Sequence, residues 1–217
     1  MRYSALIVAA GKGITKGQSY NKMFKVLKKY HMTVLEKSTQ LFLNDPRCAQ
    51  VIIVTNPKDM KNVVLGHTHE KIVHVNGGPT RQESVFLGLM ATKEDVVLIH
   101  DGARPWVDMD SIDRLLETME TEKAATLAIQ VADTIKMVND DYVEKTIDRN
   151  NLVITQTPQA FETNLIINSY VKIFEQQLIV MEDSQAVELT SDTRIKIVPG
   201  SSMNNRIISV IEETSKK

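Results

Sequence analysis

Leu6-Ile7-Val8-Ala9-Ala10-Gly11-Lys12-Gly13 is an apolar run that ends in small residues and glycines, and Lys16, Gly17, Asn21 and Lys22 follow it. A buried strand opening onto glycines lets backbone N–H groups approach phosphate oxygens closely. Two familiar phosphate loops are excluded by spacing. A Walker A loop starting at Gly11 needs Gly-Lys-Ser/Thr where Lys16-Gly17-Gln18 stands. A dinucleotide fingerprint needs its third glycine at position 16, which is lysine. The run is therefore either a third kind of phosphate loop or an ordinary strand-end turn.

Outward from this strand (Tyr3–Ala10), β-branched runs at Val51–Thr55, Ile72–Val75, Val96–Ile99, Thr126–Val131 and Ile195–Val198 alternate with amphipathic stretches. The predicted helices are Thr33–Leu43, Pro57–Leu65, Gln82–Ala91, Asp110–Glu120 and Asn164–Phe174. Strand–helix–strand at this spacing means an α/β, Rossmann-like fold: a mostly parallel sheet with helices on both faces. One segment breaks the rhythm. Ile135–Ile147 alternates around Asn139-Asp140-Asp141, the pattern of a β-hairpin without a helix. Such a hairpin is marginal alone and must pack on something, a second subunit being one choice.

The 217 residues fit one domain, read as spanning 1–217 with a hairpin arm at about 134–156. With 42% hydrophobic and 24% charged residues the composition is that of a folded globular chain. Ala5–Ala10 is too short for a membrane span, and Gly11-Lys12-Gly13 spoils it as a signal peptide. The single cysteine, Cys48, cannot form an internal disulfide, which predicts a reducing, cytoplasmic setting. Its place just before a strand suggests packing rather than nucleophilic chemistry. The net charge of −1 conceals +7 in residues 1–40 and −8 in the remainder. That is not the spread positive charge of a nucleic-acid binder; it fits either one local anion site or a solvated basic face.

Two further clusters can carry chemistry. His100-Asp101-Gly102-Ala103-Arg104-Pro105 follows the apolar Val96–Ile99, at a strand's carboxyl end, where ligands bind in open α/β sheets. There Asp101 can hold a hard cation such as Mg²⁺ and Arg104 can clamp a phosphate; the plain alternative is an Asp-Gly turn with an ion pair. Gly77-Gly78-Pro79-Thr80-Arg81-Gln82-Glu83-Ser84 either places Arg81 and Ser84 over a nucleotide or caps a helix. His67-Thr68-His69-Glu70 lacks a third ligand nearby and reads as a solvated loop. No G-x-S-x-G elbow or zinc-type Cys/His set is present, which disfavours serine-hydrolase and zinc chemistry.

Taken together the motifs resemble the family of 2-C-methyl-D-erythritol 4-phosphate cytidylyltransferases of the non-mevalonate isoprenoid pathway. The resemblance runs over essentially the whole chain: AAGKG (Ala9–Gly13), NK (Asn21-Lys22), GGPTRQESVFLGL (Gly77–Leu89), HDGARP (His100–Pro105), VADTIK (Val131–Lys136), TIDR (Thr146–Arg149), QTPQAF (Gln156–Phe161), EDSQAVE (Glu182–Glu188) and VPGSSMNNR (Val198–Arg206). It implies cytidylyl transfer from CTP to the sugar-alcohol phosphate with Mg²⁺ or another divalent cation. Lys22 would stabilise charge on the α-phosphate. Ala9, Ala10, Gly11, Gly13, Gly78, Arg81, Ser84 and Gly102 would line the CTP. Asp101, as metal ligand and substrate contact, and Arg104 would face the acceptor. Thr134 and Arg149 would reach a neighbouring subunit's active site from the hairpin, in a homodimer, and Arg206 would orient the acceptor phosphate.

The chain departs from the family pattern twice. The arginine expected two residues after the second loop glycine is Thr15, and Lys12 or Lys16 could stand in for it. The family's Asn-Ile-Lys becomes Asn204-Asn205-Arg206, which keeps the charge but not lysine's point geometry, and the Thr-x-Pro-Asp/Glu-Asp-Leu run after it is lost. Two alternatives stay open beside the main expectation: a ribitol-5-phosphate cytidylyltransferase, and a nucleotide-binding homologue with lost or weak catalysis.

Overall fold

The computed structural model describes residues 1–11, 22–66 and 68–207. β1 (Tyr3–Ala9) is followed by a short ribbon, β2 (Val26–Leu27) and β3 (Met32–Thr33). Then come α1 (Val34–Asn44), β4 (Cys48–Thr55), α2 (Met60–Gly66), β5 (Ile72–Asn76), α3 (Arg81–Leu89), β6 (Val96–Asp101), α4 (Met109–Thr118) and β7 (Ala124–Gln130). The hairpin β8 (Ile135–Asn139) and β9 (Tyr142–Ile147) precedes β10 (Val153–Glu162), α5 (Thr163–Glu175), α6 (Asp183–Thr190) and β11 (Lys196–Pro199).

Seven strands form one sheet in the order β11-β7-β10-β6-β1-β4-β5. β1 pairs in parallel with β4 and β6, β4 with β5, and β11 with β7; β10 runs antiparallel to both its neighbours. β1 shows why the sheet is covered twice. Tyr3, Ala5, Ile7 and Ala9 join one core with Leu35 and Phe42 of α1 and Leu115 of α4. Leu6, Val8 and Ala10 join the other with Val85 and Leu89 of α3 and Ile166, Tyr170 and Ile173 of α5. Period-two alternation with apolar residues on both faces makes the strand a continuous hydrophobic run.

Helix starts are set locally. Thr33 Oγ1 accepts the Glu36 N–H while Glu36 Oε2 accepts the Thr33 N–H, and Thr80 and Glu83 repeat this reciprocal cap on α3. Thr80 therefore caps the helix that follows Gly77-Gly78. The hairpin forms as expected: Asn139 faces Tyr142, and Asp140 and Asp141 take positive φ (45° and 66°), the two-residue turn that matches strand twist. Its strands pair only with each other and not with the large sheet.

Beyond the short β2–β3 ribbon and the 3₁₀ turns, two elements were not predicted. β10 contains Pro158 and a polar Thr-Gln-Thr stretch, which argues against a central strand. The structure accommodates it with a register shift against β7 between Thr155 and Gln159, on the stretch that includes Pro158. α6 is eight residues long and buries Asp183 and Ser184 as well as Ala186 and Val187, so no apolar stripe announces it. Cys48 is fully buried, and burial pushes its thiol up to about 11, so it packs and is not a nucleophile at neutral pH.

Candidate active site

The carboxyl ends of β1 and β6 lie side by side. The Gly102 N–H donates to Val8 O (3.0 Å) and Gly102 O accepts from Ser38 (2.7 Å), tying the turn after β6 to the end of β1. A Cβ on Gly77 would stand 2.5 Å from Ala10 Cβ and 2.8 Å from Ser84 Oγ, so only glycine lets the β5–α3 loop press onto the strand end. Ser84 is 1% exposed and its hydroxyl is taken up internally: it accepts the Gly78 N–H (3.1 Å) and lies 2.8 Å from Thr80 O. Ala9 and Ala10 are buried beneath, while Gly11 is exposed with open space where a Cβ would stand.

Asp101, at the last position of β6, is ringed by guanidiniums. Arg206 Nη2 lies 3.0 Å from Oδ2, Arg81 Nη2 3.7 Å from Oδ1, and Arg104 Nε 3.8 Å from Oδ2. Burial opposes ionisation of Asp101, but Arg81, Arg206 and Arg104 outweigh it and hold the carboxyl below its usual range. Arg81 is itself anchored: Nη1 and Nη2 bond the two oxygens of the fully buried Asp183 (2.9 and 2.7 Å), which also accepts the Tyr170 hydroxyl (2.6 Å). This fork-to-fork pairing fixes the guanidinium plane.

The C-terminal segment closes over the same point. Ile207 N donates to Ala103 O (2.8 Å) and Lys22 Nζ, from the short 3₁₀ turn Lys22–Phe24, donates to Ile207 O (2.9 Å), next to Arg206. The fold thus gathers Lys22, Arg81, Asp101, Arg104 and Arg206. Thr134 and Arg149 are exposed on the hairpin arm, where Arg149 Nη1 bonds Ala132 O. Lys12, Gly13, Thr15, Lys16 and His67 lie outside the described residues.

Sequence reasoning missed four groups here: His100, Thr157, Asp183 and Asn204. His100 is buried against the Phe42 ring, and burial depresses its imidazole to about 4, a push that the Asp101 charge resists and Arg104 reinforces. The unfolded histidine (6.5) therefore binds a proton more readily than the folded one, and stability rises with pH through this window. Stabilisation from keeping His100 neutral is full above pH ~6.5 and is lost toward pH ~4, on the order of 3 kcal/mol. The Asp101 contribution is lost lower, as pH falls below the ordinary carboxylate value. We expect Tm to fall steadily between pH 6.5 and 4, with a flatter curve in His100→Gln. Parallel curves for the two proteins would sink this account.

Among the described residues no three His, Cys, Asp or Glu side chains converge as a metal cage. Asp101 is one carboxylate facing three cations. That donor set fits Mg²⁺ only when most of the ion's ligands come from substrate phosphates and water, a common arrangement for this ion.

An open, mostly parallel sheet with a strand-end glycine turn, a lysine and an arginine cluster at its carboxyl edge fits a nucleotidyltransferase. The family model for 2-C-methyl-D-erythritol 4-phosphate cytidylyltransferase matches residues 3–212. Enzymes of that name from Bacillus licheniformis and Halalkalibacterium halodurans are 35% and 37% identical, each over 95% of this chain and 90% and 92% of their own lengths. The crystal structure of the Francisella tularensis enzyme superposes with a TM-score of 0.85 at 28% identity, covering 98% of this chain and 97% of that one. That of the Anaerococcus prevotii 4-diphosphocytidyl-2C-methyl-D-erythritol synthase gives 0.83 at 30% identity, covering 98% and 92%. The chain belongs to the 2-C-methyl-D-erythritol 4-phosphate cytidylyltransferase family.

Proposed function

We propose that this protein transfers the cytidylyl group of CTP to 2-C-methyl-D-erythritol 4-phosphate, releasing pyrophosphate. The observation that carries the reading is the convergence of Lys22, Asp101, Arg104 and Arg206 beside the glycine turn, within a chain of this family.

The chemistry asks little of acids and bases. The attacking phosphate monoester has a second pKa of about 6 and is largely dianionic at pH 7. One of its oxygens attacks the α-phosphorus of CTP in line, the bond to the bridging oxygen of the β-phosphate breaks, and pyrophosphate leaves. The barrier is repulsion between two polyanions and their alignment. Gly11 and the loop at Gly77-Gly78 line the CTP; Ala10 and Ser84 back that loop at Gly77, and Gly102 packs on Val8 and Ala9 at the end of β1. Lys22 Nζ neutralises charge developing on the α-phosphate. Arg104 and Arg206 hold the acceptor phosphate, and the anchored Arg81 keeps Asp101 ionised for the acceptor's hydroxyls or for a cation. Mg²⁺, when bound with the triphosphate next to Asp101, shields negative charge as a Lewis acid. Arg149 and Thr134 complete the acceptor site of a second copy. The exposed Met137, Val138, Tyr142 and Val143 of the arm are the apolar surface that such a homodimer would cover. No described helix is long and apolar enough to cross a membrane, and one buried thiol suits a reducing compartment.

Pyrophosphate release with CTP and Mg²⁺ tests the reading. Turnover is expected with 2-C-methyl-D-erythritol 4-phosphate and at least about tenfold less kcat/KM with ribitol 5-phosphate. A reversed preference would reassign the acceptor, and no turnover with either would leave a nucleotide-binding homologue.

A further inference from the structure

Four polar groups from three segments close on one another beneath Asp101. His100 Nε2 lies 3.0 Å from Arg104 O, Arg104 Nη1 donates to Asn204 O (2.8 Å), Asn204 Nδ2 donates to Thr157 O (2.8 Å), and Thr157 Oγ1 lies 3.1 Å from His100 Nδ1. The direction of the last bond follows from the first. Arg104 O can only accept, so Nε2 carries the ring proton. In the neutral ring Nδ1 is then bare and takes the Thr157 hydroxyl proton, while Thr157 Oγ1 accepts the Asp101 N–H (3.0 Å). Every donor points the same way round: His100 to Arg104 to Asn204 to Thr157 and back to His100.

All four residues are largely out of water: His100 and Asn204 are 0% exposed, Thr157 7%, and the Arg104 side chain 15%. Burial makes an unmade bond costly, so the members hold one another in a single arrangement. The ring also joins the pieces that carry acceptor-binding groups. It spans the end of β6 with Asp101, the turn with Arg104, β10, and the C-terminal segment two residues before Arg206.

We propose that His100, as the neutral Nε2–H imidazole, is a positioning residue that locks this hydrogen-bonded ring and thereby fixes Arg104 and Arg206 for capture of the sugar phosphate. It touches no reacting atom. Its effect falls on the acceptor side, because the ring carries the acceptor-binding arginines, whereas Gly11 and the Gly77-Gly78 loop, which line the CTP in the proposed function, contribute none of its members. The inference rests on the proposed transfer for its kinetic test and on the hydrogen-bond geometry alone for its spectroscopic one.

His100→Phe keeps an aromatic shape against Phe42 and loses both polar bonds. It should raise KM for 2-C-methyl-D-erythritol 4-phosphate roughly tenfold or more, with KM for CTP within about twofold of wild type. His100→Gln, which retains a donor near the Nε2 position, should recover most of the loss. Asn204→Ala breaks the same ring from the far side and should give the same split. In the double variant the two effects should fall well short of multiplying, because the ring is already open. Multiplying effects, equal rises in both KM values, or an unchanged acceptor KM would overturn the proposal. If His100→Phe does not fold, His100→Gln and Asn204→Ala carry the measurement. The imidazole ¹⁵N shifts of the wild-type protein need no turnover: a neutral Nε2–H ring at pH 7 is expected, and an Nδ1–H ring or an imidazolium would refute the lock even in a protein whose substrate proved different.

Discussion

Lys22→Ala is expected to lower kcat by about 10²–10³-fold and to leave the folded state in place, since a single donor aimed at transition-state charge is commonly worth that much. The structure separates the two effects. Lys22 sits on a one-turn helix outside the sheet, and its Nζ donates to a backbone carbonyl, Ile207 O. Loss of that partly exposed hydrogen bond costs about 1 kcal/mol. Beside Ile207 O its ammonium is one residue from Arg206, which pairs with Asp101. When CTP binds, the α-phosphate offers Lys22 a stronger acceptor than a neutral carbonyl, and the charge gained in the transition state makes that bond stronger still. The fall should therefore appear in kcat rather than in KM for CTP. Lys22→Arg keeps the charge but spreads it over a planar fork, and partial activity is expected. Wild-type turnover in Lys22→Ala would remove the proposed catalytic centre.

How much of this was readable beforehand depends on what each element buries. β1 and β6 are apolar through their length, and the turn chemistry after them is spelled in glycine, so strand, turn and sheet class follow from sequence. β10 is central too, yet it spends Gln156, Thr157 and Gln159 inside the protein, on Ser201, His100 and Thr126, where an apolar pattern has nothing to register. α6 fails for the same reason, since its first buried residue is Asp183. The site divides along this line. Asp101 and Arg104 stood out as charged groups beside a glycine at a strand end, Lys22 stood among the lysines after the first strand, and Arg206 came only from the family resemblance. Arg81 was legible as a site residue but not in its partner, because nothing local predicts that Asp183, a hundred residues on, will hold its guanidinium. Ser84 and Gly102 were read as nucleotide contacts; both are buried, Ser84 accepting the Gly78 N–H and Gly102 packing on the end of β1. His100, Thr157 and Asn204 stand within motifs already singled out, but their bonds run between segments and exist only once the chain is folded.

The assignment of Arg149 to a neighbouring active site leads to the second large effect. Arg149→Ala removes a guanidinium from an exposed arm whose described bond, to Ala132 O, lies within its own segment, so folding should be unaffected. A charge-assisted bond to a phosphate is worth about 1.5–3 kcal/mol, so kcat/KM for the acceptor should fall roughly 10–100-fold with KM for CTP unchanged. That result alone does not say whose site the residue serves; a mixed dimer does. When Lys22→Ala and Arg149→Ala chains are co-expressed with different tags and purified through both, each dimer holds one of each. If the arm crosses to its neighbour, the site built on the Arg149→Ala chain has its own Lys22 and receives an intact arm from the other subunit. The second site lacks both groups. Two nearly inactive chains then yield about half the wild-type activity per dimer, one whole site of two. If the arm instead serves its own subunit, each site keeps one defect and no activity returns. Failure to recover any species through both tags would mean that the arm does not hold two copies together, and the exposed Val138, Tyr142 and Val143 would need another partner.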